Sequence, residues 1–268
     1  MLPIRLSLLA VTLVAFLLAP APASALDRFE IQVYDSDVGA PGQFGLELHT
    51  NYTLAGQRSA EYPGAVPAHR AARMTLEPAL GVTEWLELGA YLQFLVQPDV
   101  GARWAGAKLR AKFVVPERLQ LPLHLGINVE LGRVPAEIEE EGWANEFRPI
   151  AAWSNGVWTA ALNPIFGYAL TGPERFKPDF EPCGKLSWNT QRGFALGAEY
   201  YAGLGLIADG FAAIGQQEHL AFLVFDLAAP KDAPEVANAW ELNVALGHGL
   251  TSATAQEWVV KTIVGKPF

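Results

Sequence analysis

Cysteine and methionine are nearly absent from this chain: Cys183 stands alone, and there are two methionines among 268 residues. A single thiol excludes an intrachain disulfide, and its surroundings match no metal or nucleophile spacing. A small inert residue at the start of a strand accounts for it. No second cysteine near the N-terminus offers a point of lipid attachment. Positive charge is scarce too. Nineteen Lys and Arg stand against 28 Asp and Glu, a formal net charge of −9. That balance argues against nucleic acid and against plain adhesion to anionic membrane surfaces. Beyond Ala25 no apolar run reaches 18 residues, too short for a spanning helix. Mean hydropathy is nonetheless +0.17. Apolar content that is high yet scattered leaves two options: a rich soluble core, or a membrane barrel whose lipid face is spread over alternate residues.

The N-terminus points to export. Arg5 supplies a positive charge, and residues 6–18 form an apolar run of 13 broken only by Ser7 and Thr12. Pro20 and Pro22 end any helix there, and Ala23-Ser24-Ala25 is a small-x-small cleavage pattern. Residues 1–25 therefore read as a cleavable secretory signal, whose loss with Arg5 makes the mature chain about one unit more negative.

Past the signal the period is 2 almost everywhere. Leu86, Leu88, Ala90, Leu92 and Phe94 alternate with Glu87, Gly89, Tyr91 and Gln93. Leu123, Leu125, Ile127, Val129 and Leu131 do the same with His124, Gly126, Asn128, Glu130 and Gly132. Each such run is a strand with one apolar and one polar or glycine face. Twelve candidates follow, near 42–53, 71–81, 85–95, 103–115, 121–133, 145–154, 157–169, 183–190, 193–205, 217–228, 238–249 and 256–268. Tight turns are expected at Gly81-Val82-Thr83-Glu84, Ser154-Asn155-Gly156 and Thr190-Gln191-Arg192-Gly193. Longer loops fall near 54–70, 134–144, 170–182 and 206–216. Alternating short and long connections suit an outer-membrane barrel, with short periplasmic turns and long outer loops. The long 229–237 connection breaks that rule.

The fold expected is therefore all-β: a closed antiparallel transmembrane β-barrel of about twelve strands over residues 42–268. An even number puts both chain ends on the periplasmic side, and closure removes exposed sheet edges. Trp85, Trp153, Trp158, Trp188 and Phe194 cluster near the tight turns and would form a periplasmic aromatic girdle. The terminal Phe268, with Trp258, Val260 and Val264 at matching parity, resembles the strand signal read by barrel-assembly machinery. Lys266 departs from it, falling on the outward parity, from which it can snorkel to the headgroups.

With apolar parity toward lipid, the other parity lines the lumen. It collects Glu47, Glu77, Glu87, Glu130, Glu146, Glu199 and Glu241, and against them Arg73, Lys108, Arg110, Lys112, Arg148, Lys185 and Lys261. Balanced interior charge has two readings: a salt-bridged, self-filled lumen, or a narrow polar channel between acidic and basic ladders. The Lys108-Arg110-Lys112 ladder is the sharpest feature, and Glu87 and Glu130 on its neighbours are expected to neutralise it. Residues 26–41 precede the first strand. They suit a periplasmic tail, a course along the barrel base, or a plug in the lumen, where their acids (Asp27, Glu30, Asp35, Asp37) would meet cations such as Lys261.

Catalysis has one thin candidate. His248 and Ser252 flank the last outer loop, placed beside the first strand with His49, and no hydrolase motif surrounds them. The acidic run Glu137, Glu139, Glu140, Glu141 reads as a solvated loop, with divalent bridging to lipopolysaccharide as the alternative. No cofactor and no metal ligand set is legible.

Several stretches together resemble a family of largely uncharacterised proteobacterial outer-membrane barrels, similar to the "MetA-pathway of phenol degradation" transporter group. They are 30–35 (Glu-Ile-Gln-Val-Tyr-Asp), 41–46 (Pro-Gly-Gln-Phe-Gly-Leu) leading into 49–52 (His-Thr-Asn-Tyr), 77–85 (Glu-Pro-Ala-Leu-Gly-Val-Thr-Glu-Trp), Arg148-Pro149, Asn163-Pro164, 247–251 (Gly-His-Gly-Leu-Thr) and 258–261 (Trp-Val-Val-Lys). The likeness spans nearly the whole mature chain. Its motifs specify turns and barrel parity rather than a substrate. It implies passive uptake of small solutes, aromatic or hydrophobic compounds included, and no catalytic residue. The partners expected are outer-membrane lipid and lipopolysaccharide, the assembly machinery, and a solute the sequence does not name. A structural barrel with a filled lumen and a lipid hydrolase are the rival readings.

Overall fold

The computed structural model describes residues 26–227 and 240–268. The expected signal (1–25) and the 229–237 connection lie outside the described residues.

Thirteen strands form one sheet: β1 (Phe44–Gly56), β2 (Ala72–Thr83), β3 (Leu86–Gln97), β4 (Gly101–Val114), β5 (His124–Arg133), β6 (Trp143–Ser154), β7 (Trp158–Asn163), β8 (Phe166–Ala169), β9 (Cys183–Asn189), β10 (Phe194–Gly203), β11 (Glu218–Leu227), β12 (Glu241–Gly249) and β13 (Gln256–Pro267). Strand β1 pairs with both β2 and β13, and β5 with both β4 and β6, so the sheet closes on itself. Every ladder is antiparallel. Strands β7 and β8 are consecutive pieces of a single span, both paired to β6, so thirteen strands make twelve spans. The barrel predicted from the alternation is the one found.

The split in the seventh span was not expected. Pro164 has no N–H to give a ladder, and the chain leaves the sheet between Asn163 and Phe166. Beyond the break, the segment before β9 stands in for the missing pairing: Glu181 N–H donates to the Ile165 carbonyl at 2.9 Å, and Leu204 N–H to the Phe180 carbonyl at 3.0 Å. Pro178 and Pro182 lie in this seam.

The turns follow their chemistry. At 154–158, Asn155 Oδ1 accepts from Val157 N–H (3.0 Å) and Trp158 N–H (2.7 Å), and Gly156 takes the positive φ of 83° that the turn needs. The turn expected at 81–84 sits instead at Glu84-Trp85, because β2 continues to Thr83. Gly81 has another duty: a Cβ there would lie 2.2 Å from the Gly39 carbonyl oxygen, so only glycine lets the N-terminal segment cross the wall. The 115–123 connection between β4 and β5 carries a 3₁₀ turn at Glu117–Leu119, longer than a barrel base usually has.

The outer surface is apolar. Leu109 is 67% and Leu223 75% exposed, in the company of Leu48, Leu88, Leu131, Phe147, Leu186, Leu196 and Leu246. In water each such leucine would forfeit roughly 1–2 kcal/mol of burial. The inside is charged: Glu77, Arg148 and Lys261 are 2%, 1% and 1% exposed. This inversion of the soluble pattern is what a hydrocarbon surround requires. Trp85, Trp153, Trp158 and Trp188 all point outward near the strand ends that the tight turns join, and Phe194 stacks on Phe225 with centroids 5.6 Å apart. Phe268 packs against Phe44 at 6.1 Å, and its N–H donates to the Phe44 carbonyl. The Lys266 ammonium lies over the Trp240 and Phe268 rings at 5.2 and 5.5 Å, on the outer face its parity demands.

Candidate functional site

The lumen is occupied by the chain's own N-terminal segment. Leu26, Arg28, Phe29, Glu30, Ile31, Val33 and Tyr34 are buried inside the barrel. Residues 26–41 form no strand, and wall side chains hold them. Asn163 clamps Tyr34 from both sides: Tyr34 N–H donates to Asn163 Oδ1 at 2.6 Å, and Asn163 Nδ2 donates to the Tyr34 carbonyl at 2.9 Å. Asn51 Nδ2 donates to the Arg28 and Phe29 carbonyls, both at 3.1 Å. Gln93 Nε2 donates to Glu30 at 3.2 Å, and Gly39 N–H to Glu87 at 2.7 Å. The hydroxyls of Tyr34 and Tyr91 hydrogen-bond to each other.

The two charge ladders close around this segment. Arg110 donates to Glu77 (2.6 Å) and Glu87 (2.7 Å). Lys108 pairs with Asp27 and approaches Glu30 and Glu130 at 3.4 and 3.6 Å. Lys112 Nζ donates to the Asp37 carbonyl at 2.5 Å. Arg148 donates to Glu146 (2.7 Å) and to the Gln32 carbonyl (3.1 Å), with its guanidinium 4.6 Å from the Tyr34 ring centre. Arg73 is buried beside the Phe29 ring, 5.9 Å from its centre. Lys261 pairs with Glu199, which Lys185 also approaches at 3.6 Å while bonding Asp226 at 2.7 Å. Glu47 is a third exposed and Glu241 is exposed; both lie opposite Gly265 in register, at one mouth. The acids of the N-terminal segment therefore meet Lys108 and Lys112 rather than Lys261. Half of the ladder's neutralisation comes from a segment whose position the sequence left open.

Outer loops cover the other end. Ile138 and Val66 pack on Phe29, Ala71, Leu95 and Ala105. Val66 N–H donates to the Glu137 carbonyl at 2.9 Å, and Arg28 pairs with Glu61. Glu139, read as part of a solvated run, tucks into this lid: burial pushes its carboxyl up to about 7, against the pull of Lys108. Glu30 is likewise held well above the carboxylate range by burial and by Glu130 beside it. Between the plug and β6, β10 and β11 lies a cavity of about 20 Å³, lined by Asp27, Glu30, Glu146, Arg148, Glu181 and Tyr201. That is room for about one water molecule, not for a solute.

Missed in sequence were the uncharged clamps Asn51, Gln93, Tyr91 and Asn163. All but the last lie on the inward parity of long strands, and that parity was their available signal. The hydrolase candidate does not assemble. His49 points inward and is 1% exposed, whereas His248 faces outward against Trp258, ring centroids 4.4 Å apart. Their partners on β13, Ile263 and Trp258, are about 16 Å apart along the strand. Ser252 is exposed in the loop. Cys183 is buried, with Sγ 3.9 Å from the Gln32 carbonyl and 3.8 Å from Asn163 Oδ1.

Closed walls, an apolar exterior and a charged, plugged interior define a transmembrane β-barrel of the outer-membrane kind. Solved structures agree on the fold. The COG4313 outer membrane channel from Pseudomonas putida F1 aligns with 89% of this chain and 100% of its own, at 13% identity and a TM-score of 0.57. A KdgM porin aligns over 84% and 99%, at 10% identity and a TM-score of 0.53. The NanC porin aligns over 83% and 98%, at 8% identity and a TM-score of 0.53. No family model and no curated sequence matches the chain.

Proposed function

We propose that this barrel sits in the outer membrane as a passive channel for small solutes and that displacement of residues 26–41 opens it. The observation that carries this reading is how the segment is held. Its polar contacts with the wall are side-chain hydrogen bonds and ion pairs, beside apolar packing of Leu26, Ile31 and Val33 on wall residues such as Phe222 and Val259; backbone-to-backbone bonds begin only at Gly42 and Gln43, on Gly81. Side-chain contacts in a polar lumen can be exchanged for water, whereas ladder bonds facing lipid cannot. The charged inward residues Arg73, Glu77, Glu87, Lys108, Arg110, Lys112, Glu130, Glu146, Arg148, Lys185, Glu199 and Lys261, with Glu47 and Glu241 at the mouth, would then line the path. The outward tryptophans would rest at the lipid interface, lipopolysaccharide would surround the outer loops, and Phe268 would present the last strand for assembly. The family resemblance supports small aromatic or hydrophobic compounds among the solutes.

The test uses the native thiol. Gln32→Cys places a second cysteine at the residue whose carbonyl oxygen lies 3.9 Å from Cys183 Sγ, and single-channel conductance of the refolded mature protein is recorded oxidised and reduced. Conductance steps that appear on reduction and vanish on oxidation support the proposal. Silence in both states, and also in Asn163→Ala, leaves the other reading, a structural barrel with a permanently filled lumen, which the 20 Å³ cavity favours.

A further inference from the structure

Near the mouth where β1 begins, two carboxylates face each other where a sheet should avoid it. Glu47 on β1 and Glu77 on β2 are directly opposite in register, on the same inward face. Like charges so placed repel unless a cation lies between them. His49 is two residues beyond Glu47 on the same face, and its Nε2 sits 3.1 Å from Glu47 Oε2 and 3.1 Å from Glu77 Oε2. His49 and Glu77 are almost wholly buried, with side chains 1% and 3% exposed, while Glu47 is open to the lumen at 33%.

From this arrangement we infer that Glu47, His49 and Glu77 form a binding site for a borderline divalent cation of the Zn²⁺ type. An ion at this point takes the Nε2 lone pair, with the single proton of the neutral imidazole on Nδ1; in the ion-free site the same nitrogen lies within hydrogen-bond reach of Glu47. Glu77 Oε2 is buried, directed at the same nitrogen, and accepts no hydrogen bond. Its other oxygen is fixed by Arg110 at 2.6 Å, which orients the free one as an outer partner orients a metal ligand. Tetrahedral Zn²⁺ with bonds near 2.0–2.2 Å puts its donors about 3.3–3.6 Å apart. The donor separations of 3.1 Å to the imidazole need only a slight expansion, and all three donor atoms lie within 4.8 Å of one another. The charge also fits: Glu47, Glu77 and Glu87 against Arg110 leave two negative charges around a neutral imidazole. Imidazole among the donors favours zinc-like ions over Mg²⁺ or Ca²⁺. The fourth position opens past Glu47 to the lumen. Sequence spacing could not reveal the site, because its third donor arrives from the neighbouring strand.

The experiment is Zn²⁺ titration of the refolded mature barrel in detergent by calorimetry, with Co²⁺ absorption as a readout of ligand field. The expected result is one ion per chain, a tetrahedral Co²⁺ spectrum, no competition from Mg²⁺ or Ca²⁺, and affinity reduced at least about tenfold by His49→Asn and by Glu47→Gln. His248→Asn should bind as the parent does. If His49→Asn fails to fold, Glu47→Gln decides, since its side chain is the exposed one. Absence of saturable Zn²⁺ binding, or binding that survives the Glu47 change, overturns the proposal.

Discussion

Phe44–Gly56 is bonded along both edges, to Ala72–Thr83 on one side and Gln256–Pro267 on the other. Residues 26–40, just upstream in the same chain, join no ladder and are held by about a dozen wall side chains. The wall faces hydrocarbon, where an N–H or C=O without a protein partner has none at all. The inner segment packs Leu26, Phe29, Ile31 and Val33 on apolar wall residues, and its polar groups face side chains and water-sized space, where partners are exchangeable. One is therefore committed to its geometry and the other is only retained in it. Substitutions should separate the two, disturbing the segment while the barrel stays intact.

The largest effect is expected from Arg148→Met. It strands the Glu146 carboxylate, frees the Gln32 carbonyl and removes the cation over Tyr34. Losing one member of a buried ion pair costs about 3–5 kcal/mol. Urea titration in lipid should show that loss, and hydrogen exchange should place it in residues 26–37 before the strands. Asn163→Ala removes both bonds to the Tyr34 backbone and should cost about 1–3 kcal/mol per stranded group, read as faster exchange at Tyr34. Gly81→Ala collides with the Gly39 carbonyl; overpacking of about 1–3 kcal/mol should displace the crossing point and speed proteolysis near 39–42 with β-sheet circular dichroism unchanged.

A pH change should act on the lid. Glu139 titrates near 7 when docked, against its usual 4.5. The docked loop holds that proton more tightly than a free one, so docking is fully supported below pH 4.5 and loses support as pH rises from 4.5 to 7. Protection of residues 134–142 against exchange should fall across that window; unchanged protection would remove Glu139 from the lid. The smallest effect belongs to Arg118→Ala. It breaks an exposed pair with Glu84 at 2.8 Å and should shift stability by less than about 0.5 kcal/mol.

Much of the wall was legible because a strand between lipid and lumen writes its two faces as alternate letters. Leu88 and Glu87 differ in what surrounds them, and their order discloses it. The plug was not legible in that way. Glu30-Ile31-Gln32-Val33-Tyr34 also alternates, but inside the barrel every direction meets protein, so parity carries no address. The break at Asn163-Pro164 was written in the proline and hidden by the apolar residues on either side. Glu139 looked solvated because its neighbours Glu137, Glu140 and Glu141 share its charge, and only folding of the loop distinguishes them.

The inner segment touches strands that lie far from it in the chain. Tyr34 is clamped by Asn163, and the Leu26 N–H reaches Glu218 on β11 at 3.1 Å. Once β1 has zipped to β13, charged Asp27 and Arg28 could reach their places only by threading past the side chains that fill the mouth. Sheet closure around a segment already in position spares it that passage, as a cask is raised around its former. Changes that weaken the segment should then slow insertion into the membrane as well as loosen the finished protein.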